Sequence, residues 1–213
     1  QIEDNPERTF WRFQLLLPEL EFKYRDLDVA YADGLLPVTQ GVGNFSLSGE
    51  HMIVGIEQAR LGSLNVNQGQ LNVTDIFTTN SGAVDLDAEL EGPLKGVIDF
   101  VQVERLKKRI NYEFQPDLIE GDVRFDLKLD FPTAEEILFE TITYDINGVV
   151  ENGFWPDALD NVPLSGGPFD IRVSHRDIEL KGSGKLGDAE ADIHWHEHFE
   201  TSGDDLEYDS KIT

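Results

Sequence analysis

The feature that most limits how this chain folds is a strict two-residue alternation of apolar and charged side chains. It is clearest in VRFDLKLDF, from Val123 to Phe131, where odd positions are apolar and even positions are Arg, Asp, Lys and Asp. Successive side chains of a strand point to opposite faces, so this stretch predicts a strand with one apolar and one charged face. The sequence thus raises the question of whether the apolar face contacts a protein core or a bound molecule.

The alternation recurs in GAVDLDAELEG, ETITYDIN, PFDIRVS, DIELKGSG and ADIHWHEHF. Turn signals at Asn147–Gly148, Asn152–Gly153, Ser165–Gly167 and Leu186–Asp188 are predicted to separate the strands. Such a succession is typical of antiparallel meanders and hairpins. The following residues are predicted to form one apolar surface: Val84, Leu86, Leu90, Val123, Phe125, Leu127, Leu129, Phe131, Ile142, Tyr144, Ile146, Phe169, Ile171, Val173, Ile178, Leu180, Ile193, Trp195 and Phe199.

The N-terminal half shows the same pattern less regularly. FWRFQLLL alternates, and the apolar phase of LEFKYRDLDVAY shifts between Tyr24 and Leu27, which predicts a β-bulge there. Shorter strands are predicted around 45–47, 52–56, 64–66 and 71–76.

One segment has a helical period instead. LKGVIDFVQVERLKKRI follows Pro93 and carries apolar residues at helical spacing, namely Leu94, Val97, Ile98 and Val101. Its basic residues at 107–109 would favour the C-terminal end of a helix. We therefore predict a helix over 94–109 that packs on part of an apolar sheet face.

Composition limits the classes of function. The 213 residues are predicted to form one segment, 1–213, in which 201–213 is a frayed end or the start of another strand. The net charge of −25 argues against nucleic-acid binding and against docking flat on an anionic membrane. The absence of cysteine excludes thiol chemistry, and no apolar run approaches the roughly 20 residues needed to span a bilayer.

The densest group of potential metal ligands is His194, His196 and His198. Alternate residues share a strand face and an H-x-H pair can bind zinc, but no further ligand is indicated, so we predict solvent-facing histidines and no metal site. No nucleophile elbow, phosphate-binding loop or zinc-protease motif occurs. The chain is accordingly predicted to be no enzyme and to need no cofactor.

Several motifs occur in a fixed order. The aliphatic-glycine pattern of GSLNVNQGQLNVTDI comes first, and a strand ending Glu91-Gly92-Pro93-Leu94 leads into the helix. GDVRFDLKLDFP, ETITYDINGVVEN, FDIRVSHRDIELKGSGKLG and a last strand with Trp195 then follow. Over about residues 20–200 this order resembles the AsmA-like family of bacterial envelope proteins, in particular the YhdP and TamB group. Two features depart from the family: Thr133 follows Pro132 where Leu is common, and members are usually longer and begin with a membrane helix.

The resemblance implies a mainly β fold, an elongated and curved antiparallel sheet that forms an open hydrophobic groove. The apolar surface defined above would line this groove and hold acyl chains of phospholipid or another lipid. The family resemblance further implies a periplasmic bridge-like carrier, anchored in the inner membrane, with adjoining segments of its own chain and inner- and outer-membrane proteins as partners. The alternative that the residues leave open is a closed β-sandwich or jelly roll that binds carbohydrate or protein.

Overall fold

The structure, a computed structural model, describes residues 19–31, 35–77, 82–101, 116–133, 141–159, 161–174 and 176–198. Most of these residues lie in ten strands: β1 (Glu19–Val29), β2 (Val38–Ser48), β3 (His51–Leu61), β4 (Leu64–Val73), β5 (Ala83–Pro93), β6 (Glu120–Pro132), β7 (Thr143–Leu159), β8 (Val162–Ser174), β9 (Asp177–Leu186) and β10 (Ala189–His198). A helix α1 (Leu94–Val101) and a 3-10 turn (Pro116–Leu118) connect β5 to β6.

The strands form one sheet in sequence order, and every strand is antiparallel to the next. β1 and β10 are its two edges, so the sheet is open. The predicted mainly β fold is confirmed. A sandwich needs two sheets packed face to face, whereas the described strands all belong to one sheet. The predicted end segment at 201–213 and the alternating FWRFQLLL lie outside the described residues.

Helix α1 begins at Leu94, as predicted, directly after the proline that ends β5. Leu94 and Val97 pack against the apolar core, and Ile98 is buried. Lys95 Nζ lies 2.8 Å from Asp99 Oδ1, one helical turn later. The described helix ends at Val101, and the predicted continuation to 109 lies outside the described residues.

Three of the predicted turns are wrong. Asn147–Gly148 lies inside β7, Asn152–Gly153 is a bulge in the same strand, and Ser165–Gly167 lies inside β8. The turn predicted at Leu186–Asp188 does connect β9 to β10, and the bulge predicted between Tyr24 and Leu27 is confirmed.

Glycines inside the strands leave room for phenylalanine side chains of neighbouring strands. A Cβ added to Gly148 would lie 2.5 Å from the Cβ of Phe125 on β6. One added to Gly184 would lie 2.8 Å from the ring of Phe169, and Gly153 lies under the same ring. A glycine inside a strand often marks such a close approach.

The sheet is strongly coiled, as the two described tryptophans show. The register leads from Trp195 on β10 to Leu180 on β9, then to Ile171 on β8 and to Gly148 on β7, each opposite the next. In a flat sheet Trp155, further along β7, would lie three strand spacings of about 4.8 Å away and roughly 20 Å along the strand. The rings of Trp155 and Trp195 are nevertheless 6.1 Å apart and edge to face. The far end of β7 therefore turns over the apolar face.

Candidate functional site: the apolar face of the sheet

The register places the predicted apolar residues on one face. Antiparallel partners share a face, and β5 and β6 pair apolar residues throughout. Val84 is opposite Phe131, Leu86 is opposite Leu129, and Leu90 is opposite Phe125.

The same face continues across β7 to β10. Apart from Gly182, every residue of the following pairs belongs to the predicted apolar surface. The pairs are Leu127 with Ile146, Leu129 with Tyr144, Ile146 with Val173, Val173 with Ile178, Ile171 with Leu180, Leu180 with Trp195, Phe169 with Gly182, and Gly182 with Ile193. Val123 is opposite Val150, a member that the sequence prediction missed. Ile142 precedes β7 and is half-buried, and Phe199 lies outside the described residues.

The face also extends over β1 to β4, which sequence reasoning did not include. One row of apolar residues crosses five strands, each residue opposite the next: Phe22 on β1, Phe45 on β2, Val54 on β3, Leu71 on β4 and Leu86 on β5. The rings of Phe22 and Phe45 stack with centroids 4.7 Å apart. The sequence predicts each of these short segments as a strand, but it does not indicate which residues of successive strands share a face.

Burial distinguishes two bands on this face that run across neighbouring strands, and beyond them Val84 and its β4 partner Val73 are also buried. The covered band consists of residues that are all buried: Leu90, Val123, Phe125, Val150, Phe169 and Ile193. The open band consists of residues that are all half-buried: Leu86, Leu127, Leu129, Tyr144, Ile146 and Val173. Both bands consist of large apolar side chains, and both include residues of β5, β6, β7 and β8.

Two elements contribute to the covered band. Helix α1 packs Leu94 and Val97 against it, close to where β5 ends and β6 begins. The coiled end of β7 adds Trp155 and Ala158. The open band receives neither element.

The opposite face of the sheet is polar. Lys128 Nζ lies 3.6 Å from Asp87 Oδ2, Arg172 Nη2 lies 3.2 Å from Asp145 Oδ2, and all four side chains are exposed. Such surface ion pairs add little stability to the fold, so this face mainly keeps the sheet in contact with water. A depression of about 250 Å³ on this face is lined by both acidic and basic side chains, among them Asp170 and Lys181.

Desolvation, and then the neighbouring Asp85 carboxyl, raise the pKa of Asp130 on this face. The ammonium of Lys181, and then His194, lower the pKa of Glu179.

The histidines follow the strand alternation. His194 is exposed, with Nε2 3.0 Å from Glu179 Oε1, and His196 is half-buried on the same strand. The side chain of His198 lies outside the described residues. Among the described residues, no group of three or more His, Asp or Glu side chains is placed to hold a metal ion.

No helix in the described ranges combines the length and apolarity that crossing a membrane requires. No family model, curated protein or solved structure matches this chain.

Proposed function

We propose that this chain is a lipid carrier that holds acyl chains along the open band of its apolar face. The observation that carries the proposal is the band itself. Its six apolar side chains, from Leu86 to Val173, are contiguous across four strands and only half-buried, on a sheet whose other face is charged.

The chemistry of the band favours an alkyl guest. Except for the Tyr144 hydroxyl, its side chains carry no hydrogen-bonding group, so they offer an acyl chain contact without directional preference. Burial of a CH₂ group contributes about 0.8 kcal/mol, so a chain of roughly 15 carbons gains on the order of 10 kcal/mol gross if it is fully covered. A half-covered guest gains less, which favours exchange over permanent retention.

The dimensions also fit. An acyl chain spans half of a bilayer core of about 30 Å, hence about 15 Å. Three strand spacings of about 4.8 Å, from β5 to β8, cover the same length. The open band is therefore about as long as one acyl chain lying across the strands.

The head group would remain in water beside the strand ends, because the band offers it no charged partner. The resemblance to AsmA-like proteins adds a setting to this proposal. The carrier would act in the periplasm, anchored to the inner membrane, and move phospholipid between inner and outer membranes. It would do so together with adjoining segments of its chain and membrane partners. No catalytic group or cofactor is part of this mechanism.

Native mass spectrometry of protein purified without detergent tests the proposal, because a held phospholipid would add its mass to the folded chain. In parallel, a fluorescent long-chain fatty acid is titrated into the folded protein. The same fluorophore on a two-carbon acid is the control. We expect saturable binding of the long-chain probe, displaced by unlabelled fatty acid. A folded protein that carries no lipid and binds neither probe would contradict the proposal and favour a face covered by protein.

A further inference from the structure

The two edge strands of the sheet are complementary to each other. In a meander of ten antiparallel strands, β1 and β10 run in opposite directions. β10 of one copy would therefore meet β1 of another in antiparallel orientation and continue the alternation. We propose that copies of this chain associate head to tail, with β10 of one copy paired to the outer edge of β1 of the next.

The exposure of β1 supports an edge that receives another strand. Leu20 and Phe22 lie on the apolar face and are 48% and 47% exposed. No described strand pairs with the outer edge of β1, so its outward-directed N–H and C=O groups have no sheet partner in that part of the chain. Unprotected edges of this kind pair readily with other strands.

One register aligns the apolar residues of both edges. With Ile193 opposite Phe22, Trp195 falls opposite Leu20. Ala191 then falls opposite Tyr24, whose hydroxyl donates to Gly55 O on β3, so the Tyr24 ring leans away from the incoming strand. The apolar face would continue from one copy to the next without a polar interruption.

The same register pairs opposite charges on the polar face. Asp192 falls opposite Lys23, and Glu190 falls opposite Arg25. The existing contact of Glu190 is a long ion pair, 3.8 Å from Lys185, between two exposed side chains. Such a pair competes weakly with a new partner.

On the same face His194 falls opposite Glu21 and His196 opposite Glu19, so no acidic residue of this stretch of β1 faces an acid of β10. The complementary stretch ends at Arg25. There the backbone of β1 leaves the regular pairing, with Asp26 at φ 53° in the bulge.

Other registers lose this agreement. A shift of one residue places apolar side chains opposite charged ones. A shift of two residues in one direction places Asp192 opposite Glu21, and like charges directly opposite each other are unfavourable in a sheet. A shift of two residues in the other direction places Asp192 opposite Arg25 but leaves Lys23 without an acidic partner. Of these registers, the proposed one alone pairs both Lys23 and Arg25 with acidic residues and leaves no acid opposite an acid.

Disulfide trapping tests the register directly, because the chain has no cysteine of its own. Lys23→Cys protein is mixed with Asp192→Cys protein under mild oxidation. Residues directly opposite in an antiparallel pair have Cα atoms about 4.5–5.5 Å apart, which a disulfide can bridge. The matched control mixes Lys23→Cys with Glu190→Cys, a pair displaced by two residues and too far apart to bridge.

We expect the 23–192 heterodimer to exceed the 23–190 heterodimer by about tenfold, measured by intact mass. Equal yields, or a predominance of 23–23 homodimers, would overturn the proposal in favour of random collision or of β1 pairing with β1. The absence of any dimer would also overturn it, because other residues of the chain would then cover the edges.

A second measurement avoids cysteine. Sedimentation of the unmodified chain should show association that increases with concentration. Lys23→Glu and Asp192→Lys should each weaken it, and the double variant should restore it. Association that is unchanged by the single variants, or not restored in the double variant, would contradict the register. Neither test involves lipid, so their outcome is separate from that of the lipid titration.

Discussion

Phe125 and Phe131 are both phenylalanines on the same face of the same strand, yet their environments differ. Phe125 is 8% exposed, whereas Phe131 is half-buried beyond the open band. Helix α1 packs near the first and not near the second. The comparison shows that alternation assigns a side chain to a face, while a separate element decides whether that face is covered.

The two bands have different consequences for the protein. The covered band buries its side chains in the native state and so contributes more hydrophobic stabilisation to the sheet than the open band does. The open band leaves apolar area in water, which contributes less to stability and remains for a guest. Substitutions in and near the two bands measure these contributions separately.

The largest expected effect is from Phe125→Ala, which should lower the free energy of unfolding by about 3–5 kcal/mol because the removed ring is buried. The matched change Phe131→Ala should cost less than about 2 kcal/mol because much of its ring already contacts water. Urea unfolding of both variants measures the difference. Equal costs would mean that both ends of β6 are covered.

A smaller effect is expected where the backbone lies close under the covered band. Gly148→Ala should destabilise by about 1–3 kcal/mol because its Cβ would collide with Phe125 and with the Arg124 carbonyl. Gly69→Ala is the control on the same face, since its nearest neighbours would be 3.0–3.1 Å away. We expect it to cost less than about 1 kcal/mol. Thermal unfolding of the two variants would contradict this account if Gly69→Ala were the more damaging change.

The smallest effect concerns the polar face. The pKa of Asp130 is raised in the folded protein, first by desolvation and then by Asp85. The folded protein thus binds the Asp130 proton more tightly than the unfolded chain does. This proton binding stabilises the fold below the unfolded pKa of about 3.9, and the stabilisation is lost as the pH rises through the folded pKa. Asp130→Asn should therefore stabilise at about pH 7 by no more than about 0.5 kcal/mol, because the group is exposed.

That gain should disappear below about pH 3.9, where the Asp130 carboxyl is protonated in the folded and in the unfolded state. Asp170→Asn is the control, because Asp170 is opposite Lys181 and its removal should not stabilise. Urea unfolding at the two pH values checks both variants. A gain for Asp170→Asn equal to that for Asp130→Asn would show that general charge reduction is responsible.

Much of the fold follows from local sequence. The alternation of Val123–Phe131 predicts both the strand and its two faces, and Pro93 marks the residue before the helix. The glycines at 148, 153 and 166 favour turns by composition but lie inside strands, because each makes room for a neighbouring strand: Phe125 lies beside Gly148, Phe169 beside Gly153, and the Gly184 backbone beside Gly166. No property of the local segment reports such a contact.

The extent of the apolar face was predicted only in part. The residues from Val84 to Trp195 alternate in long runs, so their phase could be read directly. The earlier strands are interrupted by bulges, as between Val66 and Gln68, and each bulge changes the face of the following residues. The division into covered and open bands depends on α1 and on the coiling of β7, which alternation does not specify.

The most direct test of the central claim is the binding of a fluorescent long-chain fatty acid to Leu127→Asp and to Lys128→Gln. Leu127 lies in the open band, so the new carboxylate would reach water, and the stability loss should stay at about 1–3 kcal/mol. The charge would nevertheless meet the guest, and we expect the affinity to fall about tenfold or more. Lys128 lies on the polar face, and its variant should bind like the parent. If Leu127→Asp unfolds the protein while the parent binds no probe, the apolar face is a closed core and the account is wrong.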